Sequence, residues 1–166
     1  MTRLFYEKML LDSFPHLQWV RVCTTAPHTV TVYACDANLD LSDDMAEKLN
    51  HFLSKMGMAS CVHIVKHYFE LQNDAAFPIG QIPDCLKEAA LEGNVSRAGI
   101  CSALKKVFPL IDSEHFEVEN AVVTFHMLKD EDWTPYQRTF TELMLSEILP
   151  VGATAKLAMD HQGSAS

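Results

Sequence analysis

Ser42-Asp-Asp-Met45-Ala-Glu-Lys-Leu49-Asn-His-Phe52-Leu53-Ser-Lys-Met56-Gly57 and Thr134-Pro135-Tyr-Gln-Arg-Thr-Phe140-Thr-Glu-Leu-Met144-Leu145-Ser-Glu-Ile148-Leu-Pro150 read as two amphipathic helices in equivalent places. In the first, Met45, Leu49, Phe52, Leu53 and Met56 recur at helical spacing behind a Ser42 cap, and Gly57 stops the run. In the second, Thr134 is the cap and Pro135 takes the first helical position, where a missing N–H costs nothing. Phe140, Met144, Leu145 and Ile148 supply its apolar side.

The flanks repeat as well. Ahead of the first helix lie a helical stretch from Leu4 to Phe14, the alternating run Trp19 to Cys23 and the run Val30 to Cys35. Thr24 to Thr29, with Pro27, is the hairpin connection. After it, Val62, Ile64 and Lys66 alternate with His63, Val65 and His67 as a third strand. Ahead of the second helix, Ser96 caps a helix through Val107, Phe116 and Val118 mark one strand, and Ala121 to Met127 mark another; Ala153 to Met159 closes the set. A shift of 92 residues carries Val30 to Val122, Ser42 to Thr134, Leu53 to Leu145 and Val65 to Leu157, while Phe14-Pro15 and Phe108-Pro109 match at 94. The expectation is an α+β chain of two tandem small domains, each of helix-strand-strand-helix-strand order with its helices on one face of the sheet. The domains are 1–72 and 96–160, joined by a connector over 73–95 with a short helix from Pro83 to about Leu91 closed by Gly93. A tail follows over 161–166. Units of about 70 residues sit near the lower limit of independent stability, so the halves are expected to pack together or against a partner.

Composition narrows the function classes. A net charge of −9 opposes a polyphosphate backbone, so no direct nucleic-acid binding is expected. The element order is similar to KH-type RNA-binding folds, but those need a G-x-x-G loop, and no two of the six glycines have that spacing. Charges at Arg3, Glu7 and Lys8 interrupt any apolar signal core and no run approaches a membrane span, which makes the cytoplasm the expected location. Asn94-Val95-Ser96 then matches the glycosylation pattern without consequence. Five cysteines, Cys23, Cys35, Cys61, Cys85 and Cys101, with no C-x-x-C pair, suit reduced thiols and no disulfides.

Candidate chemistry is sparse. Asp36, Asn38, Asp40, Ser42, Asp44 and Glu47 fall at positions 1, 3, 5, 7, 9 and 12 of an EF-hand calcium loop. Leu41 stands where that loop needs glycine, and a strand precedes it where a helix should. Acidic residues at a helix N-terminus explain the cluster better. Cys61, His63 and His67 raise the question of zinc, but residues four apart on a strand lie about 13 Å from each other, too far to share one ion. No G-x-S-x-G elbow, P-loop or G-x-G-x-x-G is present. No enzymatic activity, catalytic residue, metal or cofactor is expected. The aromatics Trp19, Tyr33, Tyr68, Phe69, Trp133 and Tyr136 exceed what two small cores must hide and are the interface candidates, about half of them core; Trp133, just before its cap, suits a hydrophobic staple.

Element order and length, with the run Val65-Lys66-His67-Tyr68-Phe69 after the third strand and Leu149-Pro150-Val151 before the last, resemble the N-terminal region of PolC-type bacterial DNA polymerase III alpha subunits. The resemblance covers the chain to about Asp160 and rests on order, length and apolar pattern. It implies a non-catalytic replisome contact region similar to the C-terminal domain of the clamp-loader tau subunit, with tau or another replisome subunit as protein partner. Polymerase and 3'-5' exonuclease chemistry would lie outside these residues. The alternative expectation is an oligomeric structural module of a phage baseplate or ring-forming assembly, whose building blocks share this element order.

Overall fold

A computed structural model describes residues 1–74, 81–129 and 132–158. The first unit contains α1 (Arg3–Ser13), β1 (Leu17–Ala26), β2 (Thr29–Asp36), α2 (Asp43–Met56) and β3 (Val62–His67). The second repeats the order with α5 (Arg97–Val107), β4 (Ile111–Glu119), β5 (Val122–Met127), α6 (Pro135–Ser146) and β6 (Thr154–Leu157). Between them lie α3 (Glu70–Asn73), a single turn that the sequence pattern does not reveal, and α4 (Asp84–Glu92), closed by Gly93 in the left-handed region at φ 67°. Part of the expected connector, 75–80, and the expected tail, 161–166, lie outside the described residues. Among the described residues no helix is long and apolar enough to cross a membrane.

Two separate three-stranded sheets form, in the orders β1-β2-β3 and β4-β5-β6. Each has an antiparallel hairpin and a parallel third strand delivered by the crossover helix. Two side-chain clusters fill the spaces between helices and sheets. Tyr6, Leu10, Val22, Val32, Leu49 and Leu53 centre the first. Ile100, Leu104, Phe116, Phe125, Leu145 and Leu157 centre the second, which also takes in Ile82 and Leu86, so the connector helix belongs to the second core.

The duplication extends to backbone detail. Thr2 and Ser96 are the N-caps of α1 and α5, 94 residues apart, each accepting an N–H from three positions on. Phe14 and Phe108 end those helices with φ/ψ of −127°/78° and −125°/69°, their N–H groups reaching Leu10 and Leu104. Ser42 and Thr134 cap α2 and α6, 92 residues apart, the latter in a complete capping box with Gln137. The sheet pairs fix the strands between. Val22 opposes Val32 as Phe116 opposes Phe125, and Val32 adjoins Val65 as Phe125 adjoins Leu157.

Val32 therefore corresponds to Phe125 and Val30 to Val123, one residue later than the sequence match of Val30 with Val122. The first unit carries an extra residue in its hairpin, at the irregularity between Thr24 and Ala26, which takes the offset from 94 in β1/β4 to 93 in β2/β5, and another between β2 and the α2 cap, which takes it to 92. A one-residue slip exchanges sheet faces, and it is Val123, not Val122, that is buried as Val30 is.

The halves meet through backbone and ion pairing. The Val151 N–H donates to the Met1 carbonyl at 2.8 Å, and the His28 N–H to that of Gly152 at 3.0 Å. The Gly152 N–H donates to Thr24 Oγ1 at 2.9 Å, and Thr2 Oγ1 donates to the Ala90 carbonyl. Arg3 Nε lies 3.0 Å from both oxygens of Glu147, and its Nη1 is 2.8 Å from Glu7, whose carboxylate also accepts the outward-facing Val22 N–H. That carboxylate occupies a free amide of the β1 edge, where another strand could otherwise add.

Candidate functional site

The hydrophobic pattern of α6 is wider than one core can absorb. Met144 and Leu145, followed by Ile148 just past the helix, point into the second core. Tyr136, Phe140 and Leu143 recur at i, i+4 and i+7 on another side and stand 77%, 43% and 47% exposed. The Tyr136 and Phe140 rings stack with centroids 6.3 Å apart. Phe140 belongs to this outer stripe and not to the core side where the sequence pattern puts it. The Tyr136-Phe140-Leu143 spacing is the available signal, since at about 100° per residue Tyr136 and Leu143 lie well over a quarter turn from Leu145 and Ile148, with Phe140 between the two sides.

Beside the stripe, an open apolar cavity of about 300 Å³ lies between the starts of α4 and β4 and the side of α6. Cys85, Phe108, Leu110, Trp133, Phe140 and Met144 are among its walls. Trp133 is half-buried against the second core and forms one wall, so its position serves packing and the cavity together. Leu110 and Leu128 extend exposed apolar surface on this unit.

The other interface candidates divide. Trp19, on the β1 face turned away from the helices, and Phe69 are exposed, and Tyr68 is half-buried. Tyr33 is fully buried and is no contact residue: its hydroxyl donates to Asp74 Oδ2 at 2.7 Å, and burial followed by that carboxylate pushes its ionisation up. Asp74 also takes Lys66 Nζ at 2.7 Å; these two hydrogen bonds hold its carboxyl below the ordinary range.

The acidic loop is occupied with its own backbone. Asp36 Oδ1 accepts the Asn38 and Asp40 N–H groups at 2.8 and 3.0 Å, Asp40 accepts the Leu41 N–H, Ser42 Oγ caps α2 at the Met45 N–H, and Asp44 pairs with Lys48. Glu47 lies further along α2. His63 and His67 have different partners: His63 meets the Tyr6 hydroxyl, while His67 lies against the Leu39 carbonyl and accepts the Phe69 N–H. Among the described residues no group of three or more His, Cys, Asp or Glu could hold a metal ion.

A second cavity, about 390 Å³, lies between the halves, bordered by Arg3, Cys23, Thr24, Glu142, Leu143 and Glu147 among others. Its ionisable groups are held in structural roles. Arg3 is fixed between Glu7 and Glu147, and burial, ahead of Arg3, which opposes it, leaves the Glu147 carboxyl above its ordinary value. The Cys23 thiol is pushed up to about 11, chiefly by burial, which keeps it protonated and a poor nucleophile at neutral pH.

No protein-family model, curated protein or solved structure matches this chain.

Proposed function

We propose that this chain is a non-catalytic docking module of a replicative polymerase, the role implied by its resemblance to the N-terminal region of PolC-type alpha subunits, and that it engages a protein partner through α6. The observation that carries this reading is the second apolar stripe, Tyr136-Phe140-Leu143, alongside a cavity wide enough to receive a side chain. Aromatic anchors beside an apolar pocket are the usual source of binding energy at protein interfaces.

The occupant that fits is an amphipathic segment of another protein with apolar anchors and basic flanks. Asp84, its side chain 94% exposed, and the exposed Asp132 adjoin the wall residues Cys85 and Trp133, and the chain carries a net charge of −9. Clamp-loader tau is the partner to try first. Titration calorimetry of the chain against purified tau should show one-to-one binding, and Phe140→Asp should weaken it at least about 30-fold, the loss of one hot-spot residue. Tight binding untouched by Phe140→Asp and Tyr136→Ala would place the contact elsewhere, and absence of binding removes tau. A ring or higher oligomer of the chain alone by light scattering, dispersed by Phe140→Asp, would favour the assembly module instead.

A further inference from the structure

We infer that His63 is a proton sensor for the seating of α1, a helix that takes part in joining the two halves. The Met58 N–H points at the Tyr6 hydroxyl oxygen at 2.7 Å and has only its own hydrogen to give, so that oxygen accepts. The same hydroxyl lies 3.0 Å from His63 Nε2, and among the described residues no other acceptor meets it. The phenolic proton therefore goes to Nε2, and His63 is the neutral tautomer with its hydrogen on Nδ1. The two rings are stacked, with 16° between their planes.

Protonation of Nε2 turns the acceptor into a donor. The Tyr6 oxygen then faces two N–H groups, and its own proton loses its partner in a place where the tyrosine has no exposed surface. Among the described residues no carboxylate pairs with the imidazolium. The titratable groups around it are the Tyr6 phenol on α1, the Met1 ammonium, which contacts Met58 Sδ at 3.5 Å, and the Cys61 thiol in the turn before β3. Gly57 lines one side of the ring so closely that an added Cβ would come within 2.7 Å of it. Burial correspondingly lowers the His63 pKa.

The sign follows. A histidine that binds its proton less tightly folded than unfolded leaves stability intact above about pH 6.5, the ordinary imidazole value. Stability is lost as pH falls below that value toward the folded pKa. Loosening Tyr6 loosens α1, which carries the Met1 carbonyl bonded to Val151 and the Arg3 pair with Glu147. Mild acid thus weakens the grip of one half on the other.

Long-range nitrogen–proton NMR of the intact chain reads the tautomer directly, and amide exchange at Met58 and Val151 reads the consequence. The expected result is an Nδ1–H imidazole at pH 7.5 titrating below 6.5, with exchange at both amides accelerating several-fold between pH 7.5 and 5.5 after correction for intrinsic rates, up to the ceiling of about tenfold for one imidazole that titrates at about 6.5 when released. His63→Gln, whose amide oxygen accepts from Tyr6 at any pH, should abolish most of that acceleration. An Nε2–H tautomer at pH 7.5, or a His63 pKa at or above 6.5, overturns the inference even if the variant does not fold. Unchanged acceleration in a folded His63→Gln protein does so as well.

Discussion

Replacing Arg3 by alanine tests whether the two halves are one cooperative unit. Arg3 is 15% exposed and lies between Glu7 and Glu147, whose side chains are 11% and 4% exposed. Truncation leaves two desolvated carboxylates without their shared cation, and breaking a buried pair from one side costs roughly 3–5 kcal/mol. At about 2–4 °C per kcal/mol for a chain of this size, Tm should fall by on the order of 10 °C. Glu147→Gln is the informative companion. It removes the more deeply buried charge but keeps an oxygen for the guanidinium, and it should cost within about 1 kcal/mol of nothing.

The pH dependence separates the two effects. Because the Glu147 carboxyl titrates above its ordinary value, the folded chain holds that proton more tightly than the unfolded one. Its contribution is full below the unfolded value and is lost as pH rises through the raised one. Glu147→Gln should remove that part of the slope. Urea unfolding is the assay, followed by Trp19 in the first unit and Trp133 in the second, each alone after Trp→Phe replacement of the other. The wild type should show coincident transitions, and Arg3→Ala should move both or separate them. A loss below about 1 kcal/mol, or Glu147→Gln costing as much as Arg3→Ala, would refute the assignment of this ion cluster as the clasp.

Gly152 has φ 89°, and a Cβ there would come within 2.6 Å of Cys61 Sγ, so Gly152→Ala should destabilise by about 2 kcal/mol or more; an unchanged urea midpoint would contradict this. Alkylation should distinguish the thiols: Cys85, exposed at the cavity mouth, should react fast with iodoacetamide at pH 7.5, and Cys23 slowly until pH nears 11, as mass spectrometry of the labelled peptides would show. A bulky maleimide on Cys85 should also block partner binding at α6, whereas retained binding would move the contact off that cavity.

Much of the architecture was legible because it is written in local signals. Ser42, Ser96 and Thr134 each place a side-chain oxygen where a helix needs one, and Gly93 supplies the left-handed residue that ends α4. Gly57 also ends its helix, for a different reason. Its φ is an ordinary −74°, but a Cβ would meet the Leu53 carbonyl of the same helix at 2.4 Å and the His63 ring of β3 at 2.7 Å, and the second contact is invisible along the chain. The offset of 92 holds for the α2 and α6 caps and the third strands but is 93 at Val30, because the connection from β2 to the α2 cap is one residue longer than its counterpart, which only the strand pairing reveals.

The candidate site is half legible. Tyr136 stands out by residue type, but Phe140 reads as core-facing and Tyr33 as one of six interface candidates, about half of them core, because apolar character gives no indication of which side a neighbouring layer will cover. Asp74 and Tyr33 are 41 residues apart, and only the folded chain brings them together.

Periodicity and capping chemistry, which depend on residues a few positions apart, determined the kinds of the elements among the described residues and the repetition of their order, apart from the single turn of α3. Tertiary structure decided which apolar stripe of α6 remains outside, how Arg3 reaches Glu147 144 positions away, and which proton lies between Tyr6 and His63. These depend on what is excluded from water and on what stands within hydrogen-bond reach. Both are properties of neighbours that the chain acquires only by folding.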